Sequence, residues 1–345
     1  MQPIQESPKF VQTSLAGAIC LGLEPGRFLK GVKCTCLNLL LTYSSGCVAA
    51  CSYCGLSRNR QVDADSQTFI RVKWPTYSLD EILQRIRTRS HPFARVCVSM
   101  VTRAHALDDA CTIIRRVRHD TDLPVSGLLA PTVMKSKSDL KAVKEAGADR
   151  VGIAVDAATP ELFDKHRGKG VGGPHRWEHF WHTMAEAVEV FGPYKVGVHL
   201  IVGLGETEQE MINIISQAHK MGVLTHLFSF FPEPGSHMEK HPQPPLGQYR
   251  RVQLARYLIN ENIISAEAIR FSPSGQVVDF GVDIEHYIAQ GLPFMTSGCP
   301  GQDGTVACNR PFGNERASEP IRNYPFVPGA QDVETIRTQI WDGVR

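Results

Sequence analysis

The 345-residue sequence predicts an α/β protein: an open, partial (β/α)6 barrel of the TIM type over residues 36–235. Two observations predict it. Short apolar runs alternate with amphipathic stretches six times, the pattern of consecutive parallel βαβ units. Several runs are near-continuous in apolar residues, as strands buried on both faces are. Six units are too few to close an eight-fold barrel. Residues 1–35 read as an irregular N-terminal extension. Residues 236–345 read as a helical and irregular C-terminal extension that carries Cys299 and Cys308.

The strands are expected at Cys36–Tyr43, Arg95–Val101, Pro124–Leu129, Arg150–Asp156, Lys195–Val202 and His226–Phe231. Between them the period is helical. Leu79, Ile82, Leu83 and Ile86 form one face behind a Ser78-x-x-Glu81 capping box. Leu140 and Val143 follow Ser136 and Ser138, and Gly147 stops that helix. Thr159-Pro160 reads as a cap and first helical turn. Thr207-x-x-Glu210 is a second capping box, before Met211, Ile214, Ile215 and Ala218, and Gly222 ends the helix. A helix over Leu246–Asn262 and a short strand near Ala268–Phe271 follow. From Thr296 onward the chain is rich in Gly, Pro, Asn and Cys and needs something to hold it down.

The 37 basic and 35 acidic residues leave a net charge of +2, so no electrostatic argument favours nucleic acid or a membrane surface as partner. No apolar run approaches a membrane span, and the N-terminus carries no basic-then-apolar leader, so the expectation is a cytoplasmic protein. Ten cysteines are the unusual feature. In a large, core-rich chain of this kind metal binding is a better use for them than a disulfide framework.

Cys47-x3-Cys51-x2-Cys54 follows the first strand directly, at the end of a barrel where active sites sit. Three thiolates this close can hold three irons of a [4Fe–4S] cluster and leave the fourth iron open. A zinc loop or buried thiols are the other uses of such a spacing. Cys34 and Cys36 lie at the start of the first strand, where residues i and i+2 of an extended chain face one side. With Cys299 and Cys308 they could close around a second [4Fe–4S] cluster and anchor the tail. A structural zinc, packing thiols or a disulfide would use the same four. Cys97 and Cys111 read as buried core, and Cys20 could replace one of the four. His175, His179 and His182, around Trp177 and Trp181, read as the solvated side of an amphipathic helix. Phe228, Phe230 and Phe231 line the barrel or form ordinary core.

The cysteine loop, with aromatic Tyr53 before its last cysteine, resembles that of the radical S-adenosylmethionine (SAM) superfamily, in its biotin-synthase-like branch. The resemblance implies that the open iron chelates the methionyl amine and carboxylate of SAM. One electron then cleaves the sulfonium and yields a 5′-deoxyadenosyl radical. It implies catalytic and metal-ligating roles for Cys47, Cys51 and Cys54, and cofactor contacts from Tyr53 and from Ser99, in a Ser99-Met100-Val101-Thr102 segment that lacks the family's glycine. Asp156 resembles the ribose-binding acid. Arg176 resembles the carboxylate-binding arginine, with Arg167 as its rival. Gly203-Leu204-Gly205-Glu206-Thr207 matches the G-L-G-E-T signature, in which Gly203 and Gly205 let backbone approach the adenine, while Glu206 and Thr207 could simply cap the helix.

Cys54-Gly-Leu-Ser-Arg58 and Ser-Gly-Cys299-Pro are most similar to the second subunit of the two-component lipoyl synthases. That resemblance implies sulfur insertion into an octanoyl chain on a carrier-protein lysine, with sulfur from the second cluster. It also implies a companion subunit and a one-electron donor such as ferredoxin or flavodoxin. The C-x4-C-x5-C set of single-chain lipoyl synthases is missing. The alternative is a radical enzyme without sulfur donation, such as a mutase, methylating or ring-forming enzyme, with a structural second cluster. A third reading is a non-catalytic zinc-binding interaction protein.

Overall fold

A computed structural model describes residues 5–60, 68–309, 311 and 320–344. In chain order the strands are β1 (Phe10–Thr13), β2 (Cys36–Leu41), β3 (Thr76–Ser78), β4 (Arg95–Ser99), β5 (Val125–Leu129), β6 (Ala148–Asp156), β7 (Val196–Val202), β8 (Val223–Ser229), β9 (Arg270–Phe271) and β10 (Val277–Asp279). The α-helices are α1 (Leu15–Cys20), α2 (Leu79–Thr88), α3 (Ala106–Asp120), α4 (Lys137–Glu145), α5 (Pro160–His166), α6 (Trp177–Phe191), α7 (Glu208–Lys220), α8 (Leu246–Asn260), α9 (Glu285–Gln290) and α10 (Ala330–Gln339). The main sheet runs β3-β1-β2-β4-β5-β6-β7-β8. Its six strands from β2 to β8 are parallel, joined through α2 to α7, as expected of a partial barrel.

Three strands went unread in the sequence: β10, which pairs with β9, and two at the edge of the main sheet. β1 pairs antiparallel with β2, Val11 opposite Leu41, and β3 pairs with β1. At four and three residues they are too short to display a period of two, so the N-terminal extension is less irregular than expected. The last barrel strand begins at Val223 rather than His226, because Gly222 closes α7 in a left-handed turn (φ 77°) and the chain extends at once.

Helix starts follow the capping chemistry. The Ser78 and Thr207 hydroxyls accept from the Glu81 and Glu210 amides, and Thr159 caps α5 ahead of Pro160. The strands bury two different faces. Outward, Leu37, Leu39, Val96, Val98, Val151, Ile153, Val198 and Leu200 pack under the helices and are essentially inaccessible. Inward, the register aligns Asn38 with Cys97, Ser126 with Arg150, Gly152 with Gly197, and His199 with His226. The apolar runs therefore record chiefly the helix-facing side; inward positions are small and polar toward the strand starts, and apolar (Leu40, Leu128, Ile201 and Phe228) toward the strand ends.

The C-terminal extension packs α8 on α7 through a buried ion pair. Arg251 Nη2 lies 2.6 Å from Glu208 Oε1, both side chains nearly inaccessible, and Glu208 also accepts from the Val277 amide at 2.8 Å. Removing one member of such a pair leaves a buried charge uncompensated. Glu208→Ala is expected to lower the unfolding free energy by about 3–5 kcal/mol in urea denaturation, and a loss below about 1 kcal/mol would contradict that role.

Candidate active site

The cysteine loop leaves the C-terminal end of β2, and three neighbouring segments hold it by backbone bonds. Val48 donates to the Thr102 carbonyl (3.1 Å) beyond β4, Ser52 to the His166 carbonyl (2.9 Å) at the end of α5, and Met238 to the Ser52 carbonyl (3.1 Å). The His166 ring extends this clamp. Its Nε2 donates to the Leu204 carbonyl (3.1 Å), which leaves Nδ1 to accept from the Ser52 hydroxyl (2.9 Å). The Cys47, Cys51 and Cys54 thiols all line one cavity of about 220 Å³.

The donor set fits an iron–sulfur cluster. The Ala49 amide donates to Cys47 Sγ and the Leu56 amide to Cys54 Sγ, each at 3.4 Å, the bonds that stabilise cluster-bound sulfur. Burial raises the Cys51 and Cys54 thiols, which therefore stay protonated until a metal displaces the proton. Among the described residues no three His, Cys, Asp or Glu side chains converge closely enough to hold a single ion. A cubane asks for less convergence, because each thiolate binds a different iron.

Asp156 ends β6 in a left-handed conformation (φ 66°) at a register shift against β7, which turns its carboxylate into the cavity. The Tyr53 hydroxyl donates to Asp156 Oδ2 at 2.5 Å, and Arg167 Nη1 lies 3.2 Å from the same oxygen. Both contacts fall on Oδ2, so Oδ1 can accept from a ligand hydroxyl. Arg167 also donates to the Ala154 and Val155 carbonyls and to Cys51, with its guanidinium over Phe163 and Phe180. Arg167 thus lines the cavity. Arg176 does not; its Nη1 donates to the carbonyls of Gly173 (3.1 Å) and His175 (2.7 Å).

His175 is buried against Phe180 rather than solvated, and burial depresses it to about 2, so its ring is neutral. His179 bonds the Pro131 carbonyl, and His182 is the exposed histidine of the three. Ser99 lines the cavity. Gly203 and Gly205, at φ 107° and 120°, shape the loop after β7. A Cβ on Gly203 would lie 2.7 Å from Pro244, so its close approach is to the protein's own chain. Thr207 and Glu210 close the α7 box, whereas Glu206 folds back and accepts from the Gly203 (2.6 Å) and Leu204 (2.9 Å) amides. One cavity residue had no signal in the sequence. Arg71 lies in an irregular segment, buried, with its guanidinium 4.2 Å from the Phe231 ring centroid. Glu233, in the Pro232–Gly235 turn, fastens that segment through the Arg71 amide (2.5 Å) and the Thr68 hydroxyl (2.7 Å).

The second cysteine set is only partly assembled as expected. Cys299 and Cys308 meet at the N-terminal mouth of the barrel, where the Cys308 amide donates to the Cys299 carbonyl (3.2 Å) and the Cys36 and Cys308 thiols are hydrogen-bonded. Cys34 turns elsewhere. Its thiol donates to the Cys36 carbonyl (3.3 Å) and pairs with Cys20. β2 begins only at Cys36, so the alternation of an extended strand does not reach back to Cys34. Cys97, expected to be core, faces the interior and lines a small cavity with Cys299 and Cys308. Cys111 is buried in α3.

Residues 41–218, just over half of the chain, match the sequence profile of the radical SAM superfamily. The chain belongs to that superfamily and is an enzyme, and the family implies a [4Fe–4S] cluster and SAM. No curated protein matches the sequence. Among solved structures, the chain is similar to methylornithine synthase (PylB), at 16% identity over 74% of this chain and 78% of that one, with a TM-score of 0.48. HydG, a maturase of the [FeFe]-hydrogenase, gives 16% identity over 67% of this chain and 51% of that one, with a TM-score of 0.48. The radical SAM methyltransferase TsrM from Kitasatospora setae gives 17% identity over 60% and 38%, with a TM-score of 0.40. The family assignment rests on the sequence match. No helix among the described residues is long and apolar enough to cross a membrane.

Glu206 yields a pH test. Burial raises its carboxyl from 4.5 to about 7, against the pull of the Gly203, Glu206 and Leu204 amides. A carboxyl raised in the folded state contributes stability that is complete below its unfolded value and is lost as pH rises through the folded value. Between about pH 5 and pH 8 the wild type should therefore lose up to about 3 kcal/mol more than Glu206→Gln in denaturant titrations. Parallel pH profiles for the two proteins would contradict this.

Proposed function

We propose that this chain inserts sulfur at an unactivated carbon, as a two-component lipoyl synthase does, with an octanoyl chain on a carrier-protein lysine as substrate. One observation carries the reading. The barrel interior holds two chambers with a common wall. The upper is lined by Cys47, Cys51, Cys54 and Asp156, the lower by Cys97, Cys299 and Cys308, and both share Leu128, His199 and Phe228. When bound, the first cluster and SAM supply a 5′-deoxyadenosyl radical that takes a hydrogen atom, and a second cluster supplies sulfur to the same carbon.

The protein's own residues bind, orient and exclude water. Tyr53 and Arg167 fix Asp156 to accept ribose hydroxyls at Oδ1. Arg167 and Arg71 present guanidinium groups to the cavity, where one can take the methionyl carboxylate. Ile201, Phe228, Phe230 and Phe231 give the apolar wall that an alkyl chain requires. The proposal includes a companion subunit and a ferredoxin- or flavodoxin-like electron donor. A second reading, a radical enzyme whose lower site is structural, is favoured by how closely the tail caps that chamber. There Thr35 Oγ1 donates to the Ala307 carbonyl at 2.5 Å and Arg95 Nε to the Pro300 carbonyl at 2.6 Å.

The test is mass spectrometry of an octanoyl-lysine peptide incubated anaerobically with reconstituted enzyme, SAM, a reductant and the companion subunit. The proposal expects a thiolated peptide formed alongside 5′-deoxyadenosine, at about one sulfur per chain. An altered but unthiolated product alongside 5′-deoxyadenosine would overturn it in favour of the second reading.

A further inference from the structure

We propose that the lower chamber is an iron–sulfur site whose fourth ligand is Cys97, so that Cys36, Cys97, Cys299 and Cys308 hold the cluster and Cys34 does not. The inference rests on a second cluster being present, as in the reading above, but not on that cluster giving up sulfur.

Strand register supplies two of the four sulfurs. In the parallel β2–β4 pair, Cys36 lies opposite Arg95 and Asn38 opposite Cys97. Cys36 and Cys97 therefore lie on neighbouring strands, one pleat apart, on the same inward face. Asn38 Nδ2 reaches Cys36 Sγ at 3.7 Å, and Cys97 Sγ is 3.9 Å from the Ser99 hydroxyl, so neutral groups of the same strands face both thiols.

The tail supplies the other two. Beyond the bonds that cap the chamber, the Thr35 amide donates to Asn309 Oδ1 at 3.3 Å, and the Asn309 side-chain amide donates to the Lys33 carbonyl. These contacts bring residues 299–309 against the starts of β2 and β4. Gly298 makes the approach feasible, since a Cβ there would stand 2.5 Å from the Cys308 carbonyl oxygen and 2.6 Å from its Cβ. Cys97, Cys299 and Cys308 then line one cavity, with His199 and His226 as its inner wall.

Cys34 fails on position. Although Cys308 acts on its thiol, Cys34 lines a separate cavity, with Ser14, Asn38, Ile70, Val72 and Trp74, and the thiol is committed to Cys20 and to the Cys36 carbonyl. Charge also favours the inner set. Four thiolates around a cluster leave net negative charge, and Arg95 is buried beside them while Arg150 acts on Cys299.

The chamber holds only about 20 Å³ of free space, so holding a cluster requires the tail loop to move outward with its two sulfurs.

The experiment uses the full-length chain with Cys47, Cys51 and Cys54 all changed to Ala, so that only the lower site remains, reconstituted anaerobically with iron and sulfide. Iron and sulfide contents and the electron paramagnetic resonance (EPR) of the reduced protein are read. About four irons are expected in this background. Adding Cys97→Ala or Cys97→Ser should abolish them, while adding Cys34→Ala, or Cys111→Ala as a buried-thiol control, should leave them. The two Cys97 variants and the Cys111 control separate ligand loss from unfolding. Loss with Cys34→Ala and retention with both Cys97 variants would overturn the assignment while leaving the two-cluster reading intact. Zinc or no metal in the parent background would overturn both.

Discussion

The rest of this structure depends on how the barrel interior is filled. Most βα barrels pack their centre with layers of branched aliphatic side chains, which leaves chemistry to one end only. Here the inward positions in the lower part of the barrel include Cys36, Asn38, Cys97, Ser126, Gly152, Gly197, His199 and His226. The glycines make room for the imidazoles: a Cβ on Gly152 would lie 3.3 Å from His199 Nε2, and one on Gly197 would lie 2.7 Å from His226 Nε2. Small and polar residues leave the lower part of the interior unclosed, and Leu128, His199 and Phe228 form the wall between the chambers at the two ends. Stability comes instead from the opposite faces of the same strands, where valine, leucine and isoleucine pack under the helices.

At the upper end, one carboxylate connects the parts. Asp156 ties Tyr53 of the cysteine loop to Arg167, and Arg167 ties both to Cys51 and to the carbonyls of β6. Ser52 and His166 make a second tie between the loop and the end of α5. A cluster held on this loop is thus positioned by the ends of β4 and β6 and of α5, rather than by the loop alone. Such support from surrounding groups sets how well metal ligands are oriented.

The sequence revealed most where the determinants are local. Capping boxes, helical periods and the Cys47–Cys54 spacing each lie within about a dozen residues, and the six βα units and the superfamily follow from them. Edge strands β1 and β3 are too short to show a period. Cys97 looked like core because its neighbours, Val96 and Val98, are core; only the pairing with β2 shows that it faces Cys299 and Cys308. Cys34 looked equivalent to Cys36 because alternation was extended one residue pair beyond the strand's first residue. Arg167 and Arg176 flank the same loop, and the end of α5 decides which one enters the cavity. Arg71 has no pattern to betray it, since an irregular segment places it.

One barrel carries two sulfur-rich sites, one at each end, separated by little more than the length of its strands. Pulsed EPR of the fully reconstituted, reduced protein measures the separation directly through the dipolar coupling of two reduced clusters. Five strand residues at about 3.3 Å each would put clusters at the two sites roughly 15 Å apart. A coupling that corresponds to that spacing is the predicted result. Two signals without coupling, or a spacing beyond about twice the strand length, would place the second cluster outside the barrel and contradict the account.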